Sequence, residues 1–198
     1  MTMQVHQSII CLEMDKYIFI KRKVLTKDYC ENFIKVFEKS DLYDNPRGYK
    51  CMDVFLNSSD FSFIRIKLLS ALEEYSKKHS FLRKGVNASS LHLDNDFMIK
   101  KFLPGDYYEH LNASKPEDGE HMEHGSSFHD CRRMLAWMFY LNDIKKGGGT
   151  RWPQQNFTSK PRAGDLYIWP AGWTHSHHGL PAPQETKYLM SGWGSLHD

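Results

Sequence analysis

The sequence predicts a mainly β protein with flanking helices, and three observations carry that reading. From about residue 92 onward, short apolar runs alternate with turn signals. One of them, "MLAWMFYL" (134–141), is an eight-residue apolar run between Arg133 and Asn142, the length of a strand buried on both faces. Helix-spaced apolar stripes, by contrast, are confined to the first half of the chain. The architecture expected is a sandwich or jelly roll, with amino-terminal helices packed on one sheet.

The elements follow in order. In "LTKDYCENFIKVFEKSD", Thr26 is placed as an N-cap, and Tyr29, Phe33, Val36 and Phe37 fall at helical spacing on one face. In "SSDFSFIRIKLLSALEEYSKKH", Phe61, Ile64, Leu68, Leu72 and Tyr75 form a second stripe with charges opposite. "YDNPRGY" between them has the composition of a turn, so residues 40 to 60 are expected as loop. "LHLDNDFMIKKFLPGDYY" reads as a strand running into a turn at Pro104 and Gly105. "NDIKKGGGT" is a turn, "TSKPRAGDLYIWP" a loop and strand, and "THSHHGL" and "TKYLMSGW" complete the series. The whole chain, 1–198, is expected as one domain: 1–91 a helical support region, 92–198 the catalytic core.

Composition excludes several classes. With 40% hydrophobic, 14% aromatic and 25% charged residues, the chain can bury a sizeable core. A net charge of +2 and no concentrated basic face beyond Lys21–Arg22–Lys23 leave no indication of a nucleic-acid partner. Cys11, Cys30, Cys51 and Cys131 form no CxxC pair, which argues against a zinc knuckle or a disulfide framework. The amino terminus lacks a basic start ahead of a long apolar core, and no 18-residue apolar run exists, so a cytoplasmic protein without a membrane partner is expected. The sequons at Asn57, Asn87, Asn112 and Asn156 then carry no meaning.

The chemistry concentrates in histidines. "WTHSHHG" places His175, His177 and His178 within four positions, and "GEHMEHG" holds His121 and Glu123 in an H-x-E arrangement. On a strand, residues i and i+2 share a face, so His121 and Glu123 can offer an imidazole and a carboxylate to one ion. A histidine from a distant strand would complete a set of two histidines and one carboxylate. That set leaves coordination positions open, which suits non-haem Fe(II) and oxygen chemistry.

The residues around these motifs extend the pattern. "RRMLAW" and "YLND", then "GGGT", "KPRAGDLYIWP", "HHGLP" and Lys187 occur in an order that resembles the Fe(II)- and 2-oxoglutarate-dependent oxygenases, in their prolyl 4-hydroxylase-like branch. The resemblance covers residues 97 to 195 and implies a double-stranded β-helix (jelly roll) core. It also implies Fe(II), 2-oxoglutarate and O2 as cofactors, with ascorbate as a reductant. The reaction implied is oxidative decarboxylation of 2-oxoglutarate to succinate and CO2, coupled to hydroxylation of a protein, peptide or small-molecule substrate, a prolyl or other peptide residue among them. In the family pattern H-x-G-x-P marks the distal metal ligand, and here only His177 fits; His175 is the runner-up and His178 is expected to point away. The metal set implied is His121, Glu123 and His177.

Lys187, ten residues after His177, matches the position that neutralises the far carboxylate of 2-oxoglutarate, with Thr150 as its hydroxyl partner. An unpaired carboxylate inside an apolar barrel is costly, which gives that cation a physical task. Many relatives place a tyrosine on that carboxylate where this chain has Phe102, and Tyr108 or Tyr140 is expected to substitute. A different register aligns His110 and Asn112 with the first two ligands, but asparagine is a poor replacement for an anionic ligand of a hard cation. A competing class is a cupin-like metal- or ligand-binding module without oxygenase activity, in which His121, His124, His175 and His177 hold zinc or nothing. Such a module has no use for Lys187 and Thr150.

Overall fold

The residues described in the computed structural model are 16–45, 49–55, 62–79, 91–106, 120–124 and 130–196. Their elements, in chain order, are β1 (Phe19–Lys21), α1 (Lys27–Lys39), β2 (Tyr43–Asn45), β3 (Tyr49–Phe55), α2 (Ser62–Lys78), β4 (Leu91–Phe102), β5 (Arg133–Tyr140), β6 (Thr150–Trp152), β7 (Phe157–Thr158), β8 (Leu166–Pro170), β9 (His178–Gly179) and β10 (Lys187–Leu196). They make a seven-stranded sheet in the order β1-β8-β5-β10-β4-β3-β2 and a three-stranded sheet in the order β7-β6-β9. All pairings are antiparallel.

Strand β5 is the hinge of the packing. Its alternate side chains divide between two cores, as the period of two requires. Leu135, Trp137 and Phe139 join Phe97 and Ile99 of β4, Ile168 of β8 and Met190 of β10 in a cluster that also takes in Phe33 and Phe37 of α1 and Ile64, Leu68 and Leu72 of α2. Ala136, Met138 and Tyr140 join Trp152, Tyr167 and Trp169 instead. Each large side chain so buried contributes about 1.5 to 3 kcal/mol.

Helix α1 starts where Thr26 accepts a hydrogen bond from the backbone N–H of Tyr29 at 3.3 Å, with Asp28 in the first turn and Lys39 in the last. Its buried face is Cys30, Phe33 and Phe37, not the face expected from the full stripe: Tyr29 and Val36 are exposed. Tyr29 stacks on Phe63 at 4.8 Å, so a surface aromatic pair takes the place of core burial. In α2, Ile64, Leu68, Leu72 and Tyr75 are buried as the stripe requires, with Ala71 beside them; Phe61 lies outside the described residues.

The segment expected as helical support also contributes three strands, and two of them fall in the expected loop. β3 pairs with β4 from Lys50 opposite Lys101 to Phe55 opposite Asp96, and β2 pairs with β3. The turn-forming composition of "YDNPRGY" masks these strands, and the partner that makes them strands, β4, lies some forty residues further along the chain.

Two glycines are fixed by close approach. Gly164 has φ +81°, and a Cβ there would sit 2.0 Å from the Leu25 carbonyl oxygen. Its own N–H donates to Tyr140 O and its carbonyl accepts from Val24 N, tying β5 to the segment before α1. Gly148, in "GGGT", has φ +69° and would push a Cβ to 2.9 Å from Ile144.

Candidate active site

His121 and His177 are brought together by backbone pairing. The N–H of each donates to the carbonyl of the other at 2.9 Å, forming an isolated antiparallel bridge. Glu123 is not on a strand with His121, contrary to the i, i+2 expectation. It lies in a bend whose N–H, with that of His124, donates to Ala171 O, while Arg133 donates to its carbonyl. The outcome is nevertheless convergence: donor atoms of His121, Glu123 and His177 lie within 4.8 Å of one another. His177 Nε2 is 3.3 Å from Glu123 Oε1, and His121 Nε2 is 3.9 Å from the same oxygen.

The neighbours orient these donors. His177 Nδ1–H donates to the carbonyl of His175 at 3.0 Å, which fixes the ring with Nε2 facing Glu123. Trp193 Nε1–H donates to Glu123 Oε2 at 2.8 Å, leaving Oε1 on the histidine side. A register shift between Gly192 and Gly194 on the β4 side of β10 accompanies Trp193, and Arg133 covers its ring at 3.6 Å. Trp152 and Trp169 wall the His177 ring at 5.7 and 5.1 Å. Burial by itself would raise the Glu123 carboxyl, but the hydrogen bond to His177 and the charges of His177 and His121 outweigh it and hold the group far below the usual carboxylate range.

The other two histidines of "THSHHG" have different surroundings. His175 lies in a 3₁₀ turn (Trp173–His175), its Nδ1 at 3.0 Å from Thr174 Oγ1 and its Nε2 at 2.9 Å from Lys16 O. Both ring nitrogens are thereby engaged, and burial lowers its pKa. His178 is a buried residue of β9, its backbone paired with Arg151.

Lys187 stands at the other end of the same cavity. It is only 2% exposed, its ammonium donates to Leu180 O at 3.3 Å, and it lies over the Phe102 ring at 4.4 Å. Burial, with the charge of Lys100, brings its pKa down to about 8. No carboxylate among the described residues pairs with it, and a buried cation so placed can receive an anion. Thr150 lines the same cavity, and its Oγ1 lies 3.1 Å from Tyr140 OH, which is also 2.7 Å from Ser159 Oγ; burial pushes the Tyr140 phenol upward. Phe102 offers Lys187 a ring face where a phenol would offer an oxygen.

The cavity joining the two ends is lined by Lys100, Met138, Thr150 and Leu189 as well as the triad and Lys187, and has a volume of about 30 Å³. That is room for about one water, so a larger ligand enters only as flexible side chains such as Lys187, Lys100 and Met138 swing aside. Among neighbouring cations, Arg133 is engaged by Trp193 and Glu123, while Arg162 lines a separate cleft of 1170 Å³ that holds none of the triad. Tyr108, and with it the competing pair His110 and Asn112, lie outside the described residues. The donor set fits a divalent metal with open positions, and the buried ammonium fits a dicarboxylate bound beside it. Sequence reasoning passed over Trp193 as a partner of Glu123, Ser159 as a partner of Tyr140, and Lys100 altogether. Alternation along β4, which puts Lys100 on the face of Phe102, was the available signal.

Known proteins resemble the chain in sequence and in fold. A relative from Acanthamoeba polyphaga mimivirus, described as a putative prolyl 4-hydroxylase, is 28% identical over 110 residues, 50% of this chain and 43% of that protein. The chain thus aligns with less than half of that relative's length. The viral collagen prolyl hydroxylase of Paramecium bursaria Chlorella virus-1, solved as a 2OG complex, superposes with a TM-score of 0.67 at 19% identity, covering 92% of this chain and 97% of that one. A prolyl-4-hydroxylase of Pseudomonas putida superposes with a TM-score of 0.65 at 14% identity, covering 92% and 94%. At those identities the two solved structures speak for the fold. The family described as 2OG-Fe(II) oxygenase superfamily matches residues 99–195, the stretch that carries His121, Glu123, His177 and Lys187. Over that stretch the chain is similar to the 2OG-Fe(II) oxygenase superfamily.

Proposed function

We propose that the protein is an Fe(II)- and 2-oxoglutarate-dependent dioxygenase that hydroxylates a prolyl or other peptide residue. The observation that carries the reading is the pairing, in one cavity, of the His121–Glu123–His177 triad with the buried ammonium of Lys187. A bare metal-binding module of the cupin kind has no use for that cation. The prolyl choice rests on the names of the relatives, one of them a collagen hydroxylase.

In this reading His121, Glu123 and His177 hold Fe(II), and Lys187 receives the far carboxylate of 2-oxoglutarate with Thr150 and Tyr140 at its side. The bound iron supplies O2 activation coupled to decarboxylation of the cosubstrate, with ascorbate as external reductant. The protein's own part is positional. Trp193 and the His175 carbonyl fix the donor atoms, Trp152 and Trp169 exclude water, and Lys187 aims the cosubstrate. The two sheets are read as a double-stranded β-helix buttressed on the larger sheet by α1 and α2, and the chain as one domain. A reducing compartment such as the cytoplasm suits Fe(II) and the free thiol of Cys30; no described helix is long and apolar enough to cross a membrane.

Anaerobic addition of Fe(II) and 2-oxoglutarate tests the reading. A weak visible charge-transfer band, followed by succinate release when air is admitted, is the expected result. A protein that binds Fe(II) but gives neither band nor succinate is the metal-binding module instead.

A further inference from the structure

The cavity contains a second cation. Lys100 and Lys101 are adjacent in sequence, and β4 sends them to opposite faces. Lys101 goes to the helix side, where it meets Glu38 of α1 at 2.7 Å and the ring of Tyr188. Lys100 goes to the cavity side, is 6% exposed, and lines the cavity with the triad and Lys187. The register ranks the inward residues from one end to the other. Lys187 stands opposite Phe102, Leu189 opposite Lys100, and Ser191 opposite Met98, after which Trp193 reaches Glu123. Lys100 is therefore one inward rung nearer the metal centre than Lys187, roughly 7 Å along the strand at about 3.4 Å per residue. Its charge is felt at both ends, depressing Lys187 on one side and Glu123 on the other.

We propose that Lys100 is a second cationic contact for the 2-oxo acid cosubstrate, reading the carboxylate next to the keto group while Lys187 reads the far one. The inference rests on the oxygenase reading above. A dicarboxylate with five carbons stretches over about the distance of one such rung, so its two charged ends meet two ammonium groups set one rung apart. Lys187 alone would leave the near carboxylate to the metal; with Lys100 each charged end of a dianion meets its own ammonium once the side chains part to admit it. A charge-assisted hydrogen bond of this kind is worth about ten- to hundredfold in affinity.

The test uses the full chain loaded with Mn(II), which is redox-silent, at pH 7, below the pKa of about 8 that the Lys187 ammonium has here. Two probes, 2-oxoglutarate and 2-oxopentanoate (the same chain without the far carboxylate), are titrated by calorimetry and tryptophan fluorescence. Lys100→Met is expected to weaken both probes by about ten- to hundredfold, with Lys100→Arg recovering part of the loss. Lys187→Met is expected to weaken 2-oxoglutarate while leaving 2-oxopentanoate unchanged. Equal 2-oxoglutarate affinity in Lys100→Met and the unmodified protein overturns the proposal. So does a loss in Lys100→Met confined to 2-oxoglutarate, since the contact would then be to the far carboxylate. Should Lys100→Met not fold, as judged by circular dichroism, Lys100→Gln takes its place under the same criteria. If the unmodified protein binds Mn(II) but neither probe, the oxygenase reading falls and takes this inference with it. If it binds both and only Lys187→Met has an effect, this inference alone falls.

Discussion

The two ends of the cavity are built on opposite principles. At the metal end every donor is held by a neighbour: His177 by the His175 carbonyl, Glu123 by Trp193, and His121 by the backbone bridge to His177. At the other end Lys187 has a carbonyl and a ring face for company and no carboxylate among the described residues. The first end is satisfied before anything binds, whereas the second is left short of negative charge. The difference teaches where each ligand's affinity originates. A metal gains from donors already aimed at it, with little reorganisation. An anion gains because it relieves a buried cation, and that gain depends on the protonation of Lys187.

Breaking the metal end should have the largest effect. Glu123→Ala removes the only anionic donor of the triad, and Fe(II) affinity should fall by more than the roughly 10- to 100-fold that loss of a supporting partner costs. Succinate release should fall to background. Fe(II) titration of the purified variant checks this, and retention of normal affinity would show that another carboxylate serves the metal.

Breaking the anchor end comes next. Lys187→Ala strands the far carboxylate in a cavity of low dielectric, at a cost of about 3 to 5 kcal/mol. That is about two to four decades in the 2-oxoglutarate dissociation constant. Fe(II) affinity measured without cosubstrate should change little, and the contrast between the two titrations is the point of the experiment.

A subtler cut distinguishes aim from identity. Trp193→Phe keeps the ring but removes the N–H that holds Glu123 Oε2. Fe(II) affinity is expected to drop about 10- to 100-fold, with 2-oxoglutarate affinity at saturating metal nearly unchanged. An unaltered metal titration would mean that Glu123 is placed by its backbone bonds to Ala171 alone.

The smallest effect is a pH dependence, and its sign follows from Lys187. Its pKa is lowered from 10.5 to about 8 by burial and by Lys100. Below about pH 8 the ammonium is already charged; above it, anion binding must take up a proton, so the half-saturating 2-oxoglutarate concentration should rise by up to about tenfold per pH unit. Folding stability moves the other way. Between pH 8 and 10.5 the unfolded chain binds the proton that folded Lys187 has released, so the ligand-free protein gains stability from this group as pH rises through that window. A 2-oxoglutarate titration series from pH 7 to 9.5, paired with thermal melts, reads both slopes; a flat affinity profile would remove Lys187 from the binding event.

What the sequence determined by itself was local in nature. The unbroken apolar run "MLAWMFYL" announced β5, Thr26 announced the start of α1, and the resemblance of "HHGLP" and Lys187 to a family pattern singled out two residues that now line one cavity. Each is a pattern of neighbours, and neighbours in sequence constrain backbone period and capping directly. Only the tertiary structure decided the rest. Which face of α1 is buried depended on what α2 and the sheet brought to it, so Tyr29 and Val36 stayed outside. β2 and β3 became strands because β4 supplied a partner. Glu123 reached His121 and His177 through a bend held by Ala171 and Trp193 rather than along a strand. The doublet Lys100–Lys101 reads as two solvated charges until a strand divides it, one side chain to Glu38 and the other into the cavity. Charge takes its meaning from what surrounds it, and those surroundings are assembled from residues far apart in the chain.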